Sequence, residues 1–204
     1  MESITEYVLN EECKKLYSSI ASPEDAEAAQ LYKYNRIDEW LDQFEGTMNM
    51  DIYEELMVLV DSHLYGYYFN KLQKFEWEPI AWHSALLNTY TMDGYGHHDD
   101  FKEWFSEFEL DYLTDDNREQ YDALPDNVTV YRGCSVEEAE NGIDGLSWTT
   151  DFRTALYFAY RYGTDGRCVV KAEVDKAKIK AYISERNESE CIIIEPVEYE
   201  IYNQ

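Results

Sequence analysis

Three short patterns in the last third of the chain carry the residue types of a group-transfer site. Tyr131-Arg132-Gly133 closes one apolar run and Ser147-Trp148-Thr149 closes a second; Glu188-Ser189-Glu190 opens a third, Cys191-Ile192-Ile193-Ile194. An arginine offers a planar fork of N–H donors to phosphate oxygens. A carboxylate held beside a sugar carbon stabilises the positive charge that builds as a glycosidic bond breaks. Hydroxyls at a strand end can position both carboxylate and sugar. The chemistry these residues fit is cleavage of a bond to a sugar in an anionic ligand.

Singly, each pattern has a plainer reading. Arg132 alone reads as a strand-end arginine paired to one of many acids. Ser147 and Thr149 are spaced as ordinary polar residues on one side of a strand. Glu188 and Glu190 can form a solvated strand edge. Their order, spacing and shared placement at strand ends favour a common cleft.

The elements that must position them follow from periodicity. Val128-Thr129-Val130-Tyr131 alternates and predicts a strand, as do Gly145 to Thr149, Arg167 to Val174, Ile179 to Ile183, Glu190 to Ile194 and Val197 to Tyr202. Between the second and third lies a helical stripe, Asp151 to Tyr162, which Asp151 can cap. The first part reads as helix: Ser3 to about Ile20, a start at Ser22-Pro23-Glu24-Asp25 with a stop at Gly46, Asp51 to about Phe75, Pro79 to about Tyr90, Phe101 to Phe108 and Asp115 to Leu124. Gly94-Tyr95-Gly96 breaks the pattern. The expected fold class is α+β, a helical N-terminal part followed by a split, mostly antiparallel sheet.

Charge supports the same division. The chain has 204 residues and a net charge of −26, of which residues 1–126 hold −21 and residues 127–204 only −5. The shift predicts an acidic helical region, 1–126, and a catalytic core, 127–204. Such a field repels nucleic-acid phosphates and attracts basic proteins. A non-enzymatic reading also follows: an acidic, DNA-mimic-like inhibitor seated on a basic nucleic-acid-binding protein. No apolar run reaches the ~20 residues of a membrane span, and the acidic start, Met1 to Glu6, lacks a signal-peptide pattern. A cytoplasmic protein without a membrane partner is expected. The four cysteines, Cys13, Cys134, Cys168 and Cys191, show no C-x-x-C pair and read as reduced structural thiols.

The three patterns in their order resemble the R–S–E signature of mono-ADP-ribosyltransferases, with the Glu-x-Glu of the arginine-modifying type. The resemblance covers about residues 128–202. It implies the fold of that family and NAD as substrate, with ADP-ribose passed to a target protein. It implies Arg132 as the group that binds NAD, Ser147 at the ribose and Glu190, Glu190 as the catalytic carboxylate, and Glu188 as the group that orients or deprotonates the acceptor. Gly133, Trp148, Thr149, Phe152 and Phe158 fall among the implied NAD-binding positions, with Phe152 or Phe158 on nicotinamide and Phe158 also a core candidate. Arg153, Arg161 and Arg167 can add phosphate contacts. Ala181 to Asn187 would be the target-recognition loop, with Tyr182 as its exposed aromatic. Trp148 departs from the usual small residue of the second motif, and Thr149 from a serine. Small members of this family occur in bacterial viruses, which implies an effector that modifies host proteins.

Other candidates carry less. His97-His98-Asp99-Asp100 has metal-ligand types, but adjacent residues point apart, and a helix start with acids in its first turn fits better. His63 and His83 lack H-x-x-x-H partners. No metal site is expected.

Overall fold

The computed structural model describes residues 3–93, 97–184 and 187–202. The expected break at Gly94-Tyr95-Gly96 lies outside the described residues. The chain divides into two compact units, Met1–His97 and His98–Gln204. That boundary lies upstream of the charge shift near Pro125.

The first unit is helical. Its helices are α1 (Ile4–Val8), α2 (Glu11–Ser18), α3 (Pro23–Gln43), α4 (Met50–Leu59), α5 (Tyr65–Leu72) and α6 (Pro79–Met92). Where one helix was expected over residues 3–20 there are two, because the Asn10 side chain accepts from the Cys13 N–H at 2.9 Å and starts a new helix. The span expected as one helix over residues 51–75 is likewise broken by a 3₁₀ turn, Ser62–Leu64. Ser22 caps α3 with Pro23 in its first turn, as the sequence predicts. The core is aromatic and aliphatic: Tyr53, Leu56, Tyr68, Phe69, Leu72 and Leu86 are fully buried. The Tyr53 hydroxyl is satisfied by Asn88 Oδ1 and Thr89 Oγ1, each at 2.9 Å.

The second unit is α+β. Helices α7 (His98–Ser106) and α8 (Asp115–Asp122) precede β1 (Asn127–Ser135), α9 (Val136–Asn141), β2 (Ser147–Thr149), α10 (Phe152–Tyr160), β3 (Arg167–Asp175), β4 (Ile179–Ile183), β5 (Glu190–Ile193) and β6 (Tyr199–Tyr202). The strands form one antiparallel sheet in the order β4-β5-β2-β1-β3-β6. Helix α8 belongs here and not with the acidic helices: Asn117 Oδ1 accepts from Ser184 N at 2.8 Å and Ser184 Oγ at 2.7 Å, and Tyr121 donates to the Lys176 carbonyl at 3.3 Å. Helix α10 packs across β1 and β3. It comes so close that a Cβ on Gly133 would run into the Ala155 carbonyl and the Ala159 backbone. Glycine is required there by close approach.

Candidate functional site

The site grows from the way β1 and β2 meet. They pair at Tyr131 opposite Thr149. Beyond that pair, residues 132–135 are paired with β3 and residues 147–148 with β5. A cleft of about 390 Å³ opens beside this junction, lined by Tyr131, Arg132, Gly133, Ser147, Thr149 and Glu190 among others. Ligand clefts span roughly 300–1,000 Å³.

Arg132 spans the junction. Its Nη1 donates to the Ser147 carbonyl at 2.7 Å. Its Nε and Nη2 both donate to Glu138 Oε1, at 3.2 and 3.1 Å. The plain reading of Arg132 as an acid-paired arginine therefore holds, and the same side chain also reaches the second motif. The guanidinium lies on the backbone of Gly145, where any Cβ would overlap its Cζ and nitrogens. Ser147 donates its hydroxyl proton to Glu190 Oε1. Arg132, Ser147 and Glu190 thus form a hydrogen-bonded chain across β1, β2 and β5.

The register explains the second link. Ser147 lies opposite Ile192 and Thr149 opposite Glu190, so Ser147 and Glu190 are diagonal neighbours on one face. Glu190 is 7% exposed. Glu188, half-buried, lines the same cleft. The turn presenting both is tied to β2: Thr149 Oγ1 donates to the Glu188 carbonyl at 2.6 Å, and Thr150 N donates to the Ser189 carbonyl at 3.1 Å. Asn187 and Ser189 have φ of 56° and 47°, a left-handed backbone that serine rarely adopts. Thr149 Oγ1 also accepts from Asp151 N at 3.0 Å, and Asp151 caps α10 through Arg153 N at 2.9 Å. One threonine hydroxyl therefore couples the carboxylate turn to the start of the helix that packs under the cleft.

Burial disfavours the thiolate of the neighbouring cysteines. Burial, with the charge of Glu190 adding, pushes Cys191 up to about 12. Burial, then the facing Cys168, pushes Cys134 up to about 12. Both stay protonated near neutral pH. Cys134 and Cys168, far apart in sequence, sit directly opposite on β1 and β3 with sulfurs 3.7 Å apart. All four cysteines are free.

Most of the expected site residues come together. Arg132, Gly133, Ser147, Trp148, Thr149, Phe158, Glu188 and Glu190 all line the cleft. Trp148 is also buried with its ring 6.3 Å from that of Tyr199. Phe158 is half-buried at the cleft and not in the core. Phe152 packs instead against Tyr131 at 5.4 Å and Tyr202 at 5.2 Å, because its place in the first turn of α10 turns it to the sheet. Of the added arginines, Arg161 and Arg167 line the cleft; Arg153 is not among its lining residues. Tyr182 corrects an expectation: it is 3% exposed on β4. Helices α7 and α8 pack against that strand, so no exposed aromatic remains there. Of the expected recognition loop, Glu185 and Arg186 lie outside the described residues.

Two contributors escape the motif reading. Glu138 is one; its visible signal is Ser135 three residues earlier, a capping-box spacing, and Ser135 Oγ does accept from Glu138 N at 3.0 Å. Gly145 is the other, and nothing in its own sequence neighbourhood points to Arg132. At the other candidate site, His98 opens α7 and lies 3.2 Å from Asp144, which also holds Lys102. Among the described residues no group of three or more His, Cys, Asp or Glu is placed to hold a metal ion. Among them, too, no helix is long and apolar enough to cross a membrane.

In comparison with known proteins, no family model matches the chain, and no curated protein and no solved structure is significantly similar to it.

Proposed function

We propose that the chain is an NAD-dependent mono-ADP-ribosyltransferase acting on a protein, with arginine as the acceptor. The observation that carries this reading is the hydrogen-bonded chain Arg132–Ser147–Glu190 lining one cleft. The three motifs lie up to 58 positions apart and meet where β1, β2 and β5 pair.

In this reading the bond between ribose C1′ and the nicotinamide nitrogen breaks, and its electron pair leaves with nicotinamide. Glu190 stabilises the positive charge on the ribose, and the Ser147 hydroxyl holds that carboxylate in place. The acceptor nitrogen attacks C1′ and gives its proton to Glu188. The acidic helical region, residues 1–126, attracts a basic target. A host protein met by a viral effector fits that description.

Incubation of the protein with labelled NAD and a cell lysate tests the proposal. Label on a protein band that is lost with Glu190→Gln supports it. Absence of any labelled protein or nicotinamide release, with the variant behaving as the parent, refutes it.

A further inference from the structure

Arg132 is the residue expected to hold the diphosphate of NAD, yet its charge is already neutralised. Glu138 Oε1 accepts from both Nε and Nη2, and the remaining bonded nitrogen, Nη1, is turned to the Ser147 carbonyl. The pair is partly enclosed, with side-chain exposures of 21% and 33%. A dianionic group entering here meets a net charge of zero and a carboxylate.

Two other arginines line the same cleft without that burden. Three of the six arginines among the described residues are paired to an acid. Arg36, Arg118 and Arg132 hold Glu39, Asp111 and Glu138 respectively. Among the described residues Arg153, Arg161 and Arg167 form no ion pair, and of these Arg161 and Arg167 line the cleft. Arg161 sits at the end of α10, with its Cζ 4.6 Å from the Phe158 ring and 4.7 Å from the Tyr162 ring. Contact with the two rings favours the cation there and leaves its N–H groups able to donate. Arg167 starts β3 opposite Ser135, the residue that caps the helix bearing Glu138.

We infer that the diphosphate of the ligand is held by Arg161 and Arg167, and that Arg132 is a positioning residue for β2. The assignment rests on the proposed function for the ligand's identity, but the two arginines define an anion subsite in their own right. It places the diphosphate at the mouth between α10 and the start of β3, and leaves the sugar at Ser147 and Glu190.

Calorimetric titration at low and moderate salt tests this with two probes, ADP-ribose and inorganic pyrophosphate. The proteins are the parent, the double variant Arg161→Gln/Arg167→Gln, and Arg132→Gln. Both arginines are exposed, so the double variant should fold as the parent does. The expected result is ADP-ribose binding that weakens at least tenfold in the double variant, with most of its salt dependence gone. In Arg132→Gln the salt dependence persists. Unchanged ADP-ribose binding in the double variant, with loss in Arg132→Gln, overturns the assignment and leaves the transferase reading intact. Pyrophosphate binding that needs Arg161 and Arg167, with no ADP-ribose binding, keeps the subsite and overturns the NAD reading. No binding of either probe to the parent overturns both.

Discussion

Ser147 and Glu190 are diagonal neighbours on adjacent antiparallel strands, and the serine hydroxyl donates to the glutamate carboxylate. The bond holds a buried negative charge, so it has separable consequences for chemistry and for folding. Glu190→Gln keeps size and hydrogen bonding while removing the charge. It should lower the transfer rate by at least ~100-fold, about 2.7 kcal/mol of charge stabilisation, with an unchanged urea midpoint. Ser147→Ala keeps the charge but removes this donor. It should cost about 1–3 kcal/mol of stability at neutral pH, read by urea denaturation.

Gly133 and Gly145 predict opposite outcomes for the same substitution. Gly133→Ala drives a methyl into the backbone of α10. It should destabilise the fold by about 3 kcal/mol, the upper end of ordinary overpacking, and thermal melting would show it. Gly145→Ala meets only the end of the Arg132 side chain. That side chain can move, so the melting temperature should shift little. Activity with labelled NAD should fall because Arg132 no longer reaches the Ser147 carbonyl. A stable, fully active Gly145→Ala would show that this contact is dispensable.

Glu138→Gln separates the two roles of the Arg132 neighbourhood. Removing the carboxylate leaves a net positive charge in the cleft. ADP-ribose should bind several-fold more tightly and with steeper salt dependence. Transfer should nevertheless slow, since Arg132 is held by fewer charge-assisted bonds. Titration and a turnover assay on the same preparation check both halves; weaker binding together with faster transfer would contradict them.

Cys191 gives a pH prediction. Its thiol ionises near 9.0 when exposed and is pushed up to about 12 in the folded chain, chiefly by burial. A folded-state value above the unfolded one means the contribution is fully present below pH 9. It is lost as pH rises toward about 12, because the unfolded chain then binds fewer protons. Stability should fall by up to ~1.4 kcal/mol per pH unit from this thiol across that window. Urea midpoints at pH 8 and pH 10 would show the loss, and Cys191→Ala should reduce it while leaving the share of Cys134. The same burial keeps the thiol of the native protein unreactive to alkylation at pH 8.

Much of the second unit was readable because its strands are short, β-branched and bounded by turn residues. Ile179 to Ile183 and the cap at Asp151 are where the sequence puts them. The motif residues converge because they end neighbouring strands, which spacing alone suggests. What spacing cannot convey is the third dimension around each strand. Tyr182 reads as a loop aromatic in the sequence, yet α7 and α8 of the same unit cover β4. Glu138 read as one acid among many, and Gly145 as a turn. Both matter because the Arg132 side chain folds back across the chain to reach them. In the first unit the apolar stripes run through Asn10 and Ser62, so periodicity joined helices that capping and a 3₁₀ turn divide.

The strand order also sets a timetable. In β4-β5-β2-β1-β3-β6 the strand carrying Glu190 docks onto β2, although β3 and β4 are made between them. On a ribosome, Arg132 and Ser147 emerge long before the carboxylate they serve. The nascent chain therefore carries a half-built cleft, and in the proposed reading no competent enzyme exists until β5 has been released and paired. For a protein whose proposed activity would damage its maker's own proteins, late closure of the sheet acts as a delay built into synthesis itself.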